Sequence, residues 1–403
     1  MHHKILIAGG GSAGIATAAS LLKRRSGLDI AVIEPRGEHF YQPGWTMVGG
    51  GIFSKEQTCR SEASVMPSGV NWIKASVSGF DPDNNSVALK NGTTVTYDLL
   101  IVAMGNRLAW EEIEGLEETL GKNGVTSNYR YDLAPYTWEL VQKTRRGRAL
   151  FTQPPMPIKC AGAPQKAMYL SCSEWEKQGT LGDIDVEFHN AGGVLFGVKE
   201  YVPALMETVE RYGIDLAFTS NLVRVDGPNH KAWFKTEDGE VERDFDMLHV
   251  CPPQRGNQVV AHSALADDAG YAEVDQATLR HARFENVFAL GDCGSTPNAK
   301  TMAAARKQAP VVATNALAQL DGKSATAAYD GYGSCPLTVE NGKIVLAEFT
   351  YGGNLAPSFP SWVLDGTKPS KLAWRLKAQA LPPIYWDGML KGREWLAKPV
   401  PIG

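Results

Sequence analysis

Apolar positions along this chain fall in short unbroken runs closed by glycine. Lys4-Ile5-Leu6-Ile7-Ala8 is the first and predicts a buried strand. It leads into Gly9-Gly10-Gly11-Ser12-Ala13-Gly14, an alanine-rich helix from Ile15 to Lys23, and a second strand, Ile30 to Ile33, ending at Glu34. Thr96 to Met104 and Asn286 to Leu290 repeat the form, the first stopping at Gly105 and the second at Gly291-Asp292. A helix from Lys300 to Leu320 follows the second. Strands alternating with helices predict an α/β fold on parallel sheets. No run approaches the ~20 apolar residues that a bilayer-spanning helix needs. The chain enters its first strand at once, so no signal or transit peptide is expected before it.

Gly9, Gly11 and Gly14 have the spacing GxGxxG, with Ser12 and Ala13 between them. Gly9 permits a tight turn, Gly11 lets backbone approach a pyrophosphate, and Gly14 lets helix and strand pack closely. The helix N-terminus supports phosphate charge, and Glu34 can accept from ribose hydroxyls. Gly105 marks a backbone passing close to something. Asp292 can hold ribityl hydroxyls or cap the helix that follows it. These three blocks in this order resemble the two-dinucleotide-binding flavoprotein superfamily typified by glutathione reductase. That resemblance implies FAD and two Rossmann-like domains: an FAD-binding domain from 1–112 and 272–322, an inserted domain from 113–271, and a C-terminal region from 323–403. In the inserted domain the matching turn is Asn190-Ala191-Gly192-Gly193-Val194-Leu195-Phe196-Gly197. No register of it gives GxGxxG, because Leu195 or Phe196 falls where the third glycine belongs. A bulky side chain there crowds the phosphates, so the electrons are expected from a source other than NADH.

Six cysteines in 403 residues do not make a disulfide scaffold, so any disulfide here is read as catalytic. Cys59, Cys172, Cys251 and Cys293 read as structural or incidental. Cys160 and Cys335 differ, because proline and glycine flank both and argue against a regular helix or central strand. Both are expected in loops, with Cys335 presented at a loop tip. Pro164 opens a helix just after Cys160, and that helix end, with Lys159 and Lys166, can hold the thiol as thiolate. From the residues alone a paired redox role and two unconnected thiols both stay open.

The net charge of −4 gives no reason to expect nucleic acid as a partner, and no metal-ligand spacing stands out. The tail from Ser370 to Lys398 has a different balance. It carries six basic residues and two acidic ones, net +4 against −8 for the remainder. It also holds four large aromatics, Trp374, Tyr385, Trp386 and Trp395. Pro382-Pro383 is expected to split it into two short segments, the first with Leu372, Leu376 and Ala380 on one stripe. Two readings stand: an amphipathic element on a membrane surface, or a helical pair packed on the protein.

Four blocks narrow the class: Glu34-Pro35 with His39-Phe40-Tyr41-Gln42-Pro43-Gly44-Trp45, Ile158 to Leu170 around Cys160, Phe196 to Tyr201, and Tyr329 to Leu337 around Cys335. Together they resemble the sulfide:quinone oxidoreductases, in the branch that includes the mitochondrial enzyme. The resemblance implies that Cys160 and Cys335 form a redox pair beside FAD, bridged by a disulfide or by one extra sulfur. It implies that Cys160 passes electrons to the flavin, and it carries Gln42 and Val77 into the cofactor site. Lys300 is either a stabiliser of negative charge on reduced flavin or a surface lysine. Sulfide, a membrane quinone, and sulfite, sulfide or a small thiol as sulfur acceptor are the implied partners. Phe359, Tyr385 and Trp386 are candidates for the quinone lining. The implied setting is a peripheral protein at a prokaryotic inner membrane, and a homo-oligomer is compatible with it. The rivals are a type II NADH:quinone oxidoreductase and a flavoprotein subunit passing electrons from sulfide to a cytochrome.

Overall fold

The computed structural model describes residues 1–298 and 300–402. The first apolar run forms β1 (His2–Ala8), in which Ile5, Leu6, Ile7 and Ala8 are fully buried. β1 pairs in parallel with β2 (Ile30–Ile33) on one side and β3 (Thr94–Val102) on the other. Val70–Ile73 extends the sheet beyond β2, and Val287–Ala289 joins β3 in parallel. Sandwiched strands must be apolar on both faces, which is why these runs show no alternation. Helices α1 (Ser12–Arg24) and α3 (Met302–Leu320) pack together on this sheet, and Ala16, Ala309, Ala313 and Ala316 all lie in its core. Alanine at the contact lets two helix axes approach closely.

A second parallel sheet runs Val125–Thr126, Met247–His249, Gly147–Gln153, Ile184–Asn190, Asp215–Phe218. Helix α2 (Ala163–Gln178) covers it, its Trp175 fully buried against Phe151 of the sheet. Between the two sheets the chain crosses as an antiparallel ribbon, Asn106–Leu108 against Gln254–Gly256. The return therefore comes earlier than residue 271: Val260 and Leu265 already pack in the first core.

The C-terminal region is not a separate layer. Its hairpin, β4 (Gly333–Glu340) and β5 (Lys343–Phe349), packs into the second core, whereas Tyr385, Trp386, Met389 and Leu390 belong to the first. The tail also departs from expectation at Pro382-Pro383, where the helical run from Lys371 to Lys391 is not split. Two π-helical stretches, Leu376–Ala380 and Ile384–Gly388, lie on either side of the prolines. A proline ring clashes with the carbonyl four residues back, and a widened turn moves that carbonyl away. The expected stripe is turned as well: Leu372 is exposed, while Ala373 and Lys377 face inward.

Candidate active site

Cys160 lies between the second sheet and α2, in the left-handed backbone region at φ 55°. A non-glycine residue rarely stays there unless its surroundings hold it. Its N–H donates to the carbonyl of Lys300 at 2.8 Å, and its carbonyl accepts from Ala163 N–H at 2.8 Å. Cys335 is not at a loop tip. It sits in β4 opposite Ala347, 2% exposed. A proline follows it in the strand, which a two-stranded hairpin tolerates because each strand has a free edge.

The two sulfurs are 3.5 Å apart. Lys166 Nζ, on the first turns of α2 and itself buried, donates to Cys160 Sγ at 3.0 Å and to Cys335 Sγ at 3.7 Å. The Cys335 thiol donating to Cys160 holds Cys160 well below the usual thiol range, against burial and with help from Lys166 and Lys377. The same bond and burial push Cys335 well up. Lys166 resists the downward pull of burial because both sulfurs favour its cation, and it ends above its ordinary value. Lys377 is pulled down to about 7 by burial and by Lys166. The pair thus favours the negative charge on Cys160 and the proton on Cys335. Lys159, expected beside the sulfur, instead sends Nζ to Gln42 Oε1 at 2.8 Å.

Close approach of the sulfurs depends on Gly162, where an added Cβ would lie 2.6 Å from Cys335 Sγ and overlap Leu337. Gly162→Ala is expected to separate β4 from Cys160, so that the two thiols no longer close a disulfide under mild oxidation, as thiol titration before and after oxidation would show.

The glycine turn fits a dinucleotide. A Cβ on Gly14 would overlap the Gly9 carbonyl oxygen, whereas one on Gly11 would meet nothing within 4 Å, so that side is open to a phosphate. Glu34 Oε2 accepts from Gly10 N–H at 2.9 Å and closes the turn against β2. Asp292 is faced by the charges of Lys159 and Lys300, while burial raises its pKa. It does not cap α3, whose N-cap is Thr301, accepting from Ala304 N–H. Lys300 is buried rather than on the surface, with Nζ donating to Gly294 O at 2.8 Å and lying 4.0 Å from the Tyr271 ring centre. Gln42, Asp292, Lys300 and Cys160 therefore converge, although they come from three separate stretches. Gly105 has φ 66° with open space where a Cβ would be. Val77 is buried in the outer strand Val77–Asp81.

The three quinone candidates are not brought together. Phe359 packs with Ile344, Leu346 and Trp374, whereas Tyr385 and Trp386 are buried in the first core. Residues 191–198 form an irregular loop, Leu195 and Phe196 turn into the second core, and a 3-10 turn at Lys199–Tyr201 separates the loop from the next α-helix at Val202. Lys377 and Gly162 were not singled out from the sequence. Gly162, two residues after the cysteine, was a legible signal; Lys377 offered none, because its burial depends on how the tail folds back.

Two dinucleotide-type α/β domains with a facing thiol pair define the pyridine nucleotide-disulfide oxidoreductase class, and residues 3–137 match the family described as pyridine nucleotide-disulphide oxidoreductase. The chain is 42% identical over 398 residues to the mitochondrial sulfide:quinone oxidoreductase of Dictyostelium discoideum, covering 98% of this chain and 87% of that protein. To the mitochondrial sulfide:quinone oxidoreductase of Mus musculus it is 38% identical, covering 97% and 87%. The chain belongs to the sulfide:quinone oxidoreductase family. The solved sulfide:quinone oxidoreductase of Aquifex aeolicus has the same fold, with a TM-score of 0.81 over 98% of this chain and 92% of that one at 20% identity. The Dictyostelium and mouse relatives are named as mitochondrial, which gives no support to a prokaryotic inner membrane.

Proposed function

We propose that the chain oxidises sulfide to protein-bound sulfane sulfur and delivers the two electrons through FAD to a quinone. The observation that carries this reading is a sulfur pair 3.5 Å apart, joined from distant segments beside a buried ammonium. FAD, when bound, takes up two electrons and releases them to a second substrate. Gly9, Gly11, Ser12, Ala13, Gly14 and Glu34 would hold its dinucleotide end, and Gln42, Asp292 and Lys300 the end nearer the thiols. Val77 and Gly105 join them on the family resemblance.

The resting pair is bridged, by a disulfide or by one added sulfur. Hydrosulfide attacks the sulfur on Cys335, a new S–S bond forms there, and the bond toward Cys160 breaks. The sulfide sulfur is oxidised by two electrons, and Cys160 departs as thiolate carrying them. A leaving thiol of low pKa departs faster, and the buried Lys166 ammonium, 3.0 Å from Cys160 Sγ, gives Cys160 that character. A second sulfide, a sulfite or a small thiol removes the sulfane sulfur from Cys335. Transfer of the electron pair to FAD then lets the two thiols close their bridge again.

The quinone side is proposed at residues 355–363, where Trp362 is 86% exposed and Leu355 and Val363 are exposed too. Leu372, Lys368, Lys371 and Arg375 are exposed in the adjoining stretch. Exposed apolar side chains with basic neighbours suit a membrane surface, and Phe359 lies half-buried beneath them. Among the described residues no helix is long and apolar enough to cross a membrane.

Anaerobic mixing tests the reading. Sulfide is expected to bleach the bound flavin at turnover rates, and NADH is not, because residues 191–198 offer no glycine cradle to its phosphates. Rapid bleaching by NADH, with none by sulfide, would move the chain to the type II NADH:quinone oxidoreductases. A co-purifying haem would favour a cytochrome acceptor instead.

A further inference from the structure

The thiol chemistry leaves one buried polar chain unused, and it begins and ends at the glycine turn. Tyr385, 2% exposed, comes from the C-terminal segment. Its hydroxyl is 2.6 Å from Ser12 Oγ and 2.6 Å from His39 Nε2. His39 Nδ1 is 3.0 Å from Glu62 Oε2, and both residues are buried. The other carboxylate oxygen of Glu62, Oε1, has no partner among the described residues, and a Cβ on Gly10 would lie 3.1 Å from it. Ser12 opens α1, and Gly10 sits two residues earlier in the same turn. A carboxylate oxygen with no partner in the interior is costly, which marks a place built to receive a donor.

The segment that supplies Tyr385 is strapped along α1. Glu394 accepts from Ser20 Oγ at 2.7 Å and from Arg24 Nη1 at 2.5 Å, and Lys23 Nζ donates to Gly392 O at 3.0 Å. A Cβ on Gly392 would lie 2.8 Å from the Ala19 carbonyl oxygen, so the strap touches the helix backbone itself. These contacts place the tail against the helix whose N-terminus faces the open side of the turn.

We propose that Tyr385 is a cofactor-positioning residue and that the C-terminal segment is a latch on the diphosphate-bearing dinucleotide. His39, anchored by Glu62, fixes the Tyr385 hydroxyl, and Tyr385 in turn fixes the hydroxyl of Ser12. Ser12 then enters the cofactor site with its hydroxyl already oriented, and no orientation has to be lost on binding. Glu62 Oε1 receives a hydroxyl of the same ligand. The proposal rests on the reading above that the dinucleotide is FAD.

The test is FAD binding to apoprotein, followed by quenching of flavin fluorescence, for wild type, Tyr385→Phe, Ser12→Ala and the double variant. Tyr385→Phe keeps the ring and its packing on Tyr41 and loses only the hydroxyl. It is expected to weaken FAD binding about tenfold, the size of one buried hydrogen bond. Because Tyr385 acts through Ser12, the double variant should bind no worse than the weaker single variant. His39→Gln should weaken binding in the same sense without touching Tyr385, and the melting temperature of each apoprotein separates a lost latch from a lost fold. Wild-type affinity in Tyr385→Phe, or losses that add in the double variant, would overturn the latch. Failure of wild-type apoprotein to bind FAD would instead overturn the cofactor reading.

Discussion

Cys160→Ser and Cys335→Ser should each lose rapid bleaching of the flavin by sulfide, with a fall on the order of 10³-fold or more in the rate of flavin reduction. The size follows from the two sulfurs acting as one unit. A serine at 335 leaves no sulfur to receive hydrosulfide, and a serine at 160 leaves no thiolate to depart and pass electrons on. Groups that work as a unit lose nearly everything when either is removed, so the double variant should be no slower than the singles. Both variants should bind FAD as wild type does, since neither sulfur belongs to the glycine turn. Stopped-flow absorbance under anaerobic conditions reads this directly. A single variant that bleaches at the wild-type rate would remove the paired mechanism.

Lys166→Met should have the next largest effect. Lys166 is buried, and its Nζ is 3.0 Å from Cys160 Sγ. A nearby opposite charge shifts a pKa by roughly 1–3 units, so its loss should raise the Cys160 thiol by that amount. The leaving-group advantage goes with it, and sulfide-driven reduction should slow by roughly 10- to 100-fold. In the wild-type protein Lys377 does not serve over the whole pH range. With its pKa pulled down to about 7, it is charged below that pH and neutral above it, so its support for the thiolate fades as pH rises through 7. Lys166, held above its ordinary value, serves throughout. Titrating the ultraviolet thiolate absorbance of the reduced protein checks the shift; an unmoved thiol in Lys166→Met would assign Cys160's acidity to the Cys335 bond alone.

Much of the frame was legible because local chemistry dictates it. Ile5 to Ala8, the glycine turn and Glu34 form a continuous strand–turn–helix–strand unit, and each part has one physical role wherever it is placed. The same locality let the pattern of Leu195 and Phe196 report that no second glycine turn forms. Cys160 was read through Pro164 and Lys166, which are neighbours in sequence and remain neighbours in space. What stayed hidden was decided by long-range packing. Cys335 looks like a loop residue between Gly333 and Pro336, yet hairpin pairing with Ala347 buries it as a strand residue. Lys377 reads as one of six basic residues on a surface tail, but the tail folds back and buries it within electrostatic reach of the thiols. Tyr385 reads as an interfacial aromatic, and only the fold shows its hydroxyl meeting Ser12, 373 positions earlier in the chain. In each case the local pattern was sound and a tertiary contact overrode it.

Peptide mapping of the resting oxidised protein, alkylated before digestion, tests the central claim most directly. The account expects the peptides holding Cys160 and Cys335 to be recovered joined, with no extra sulfur or one, and to separate on reduction. Recovery of both as free alkylated thiols, from protein whose flavin sulfide still bleaches rapidly, would contradict it.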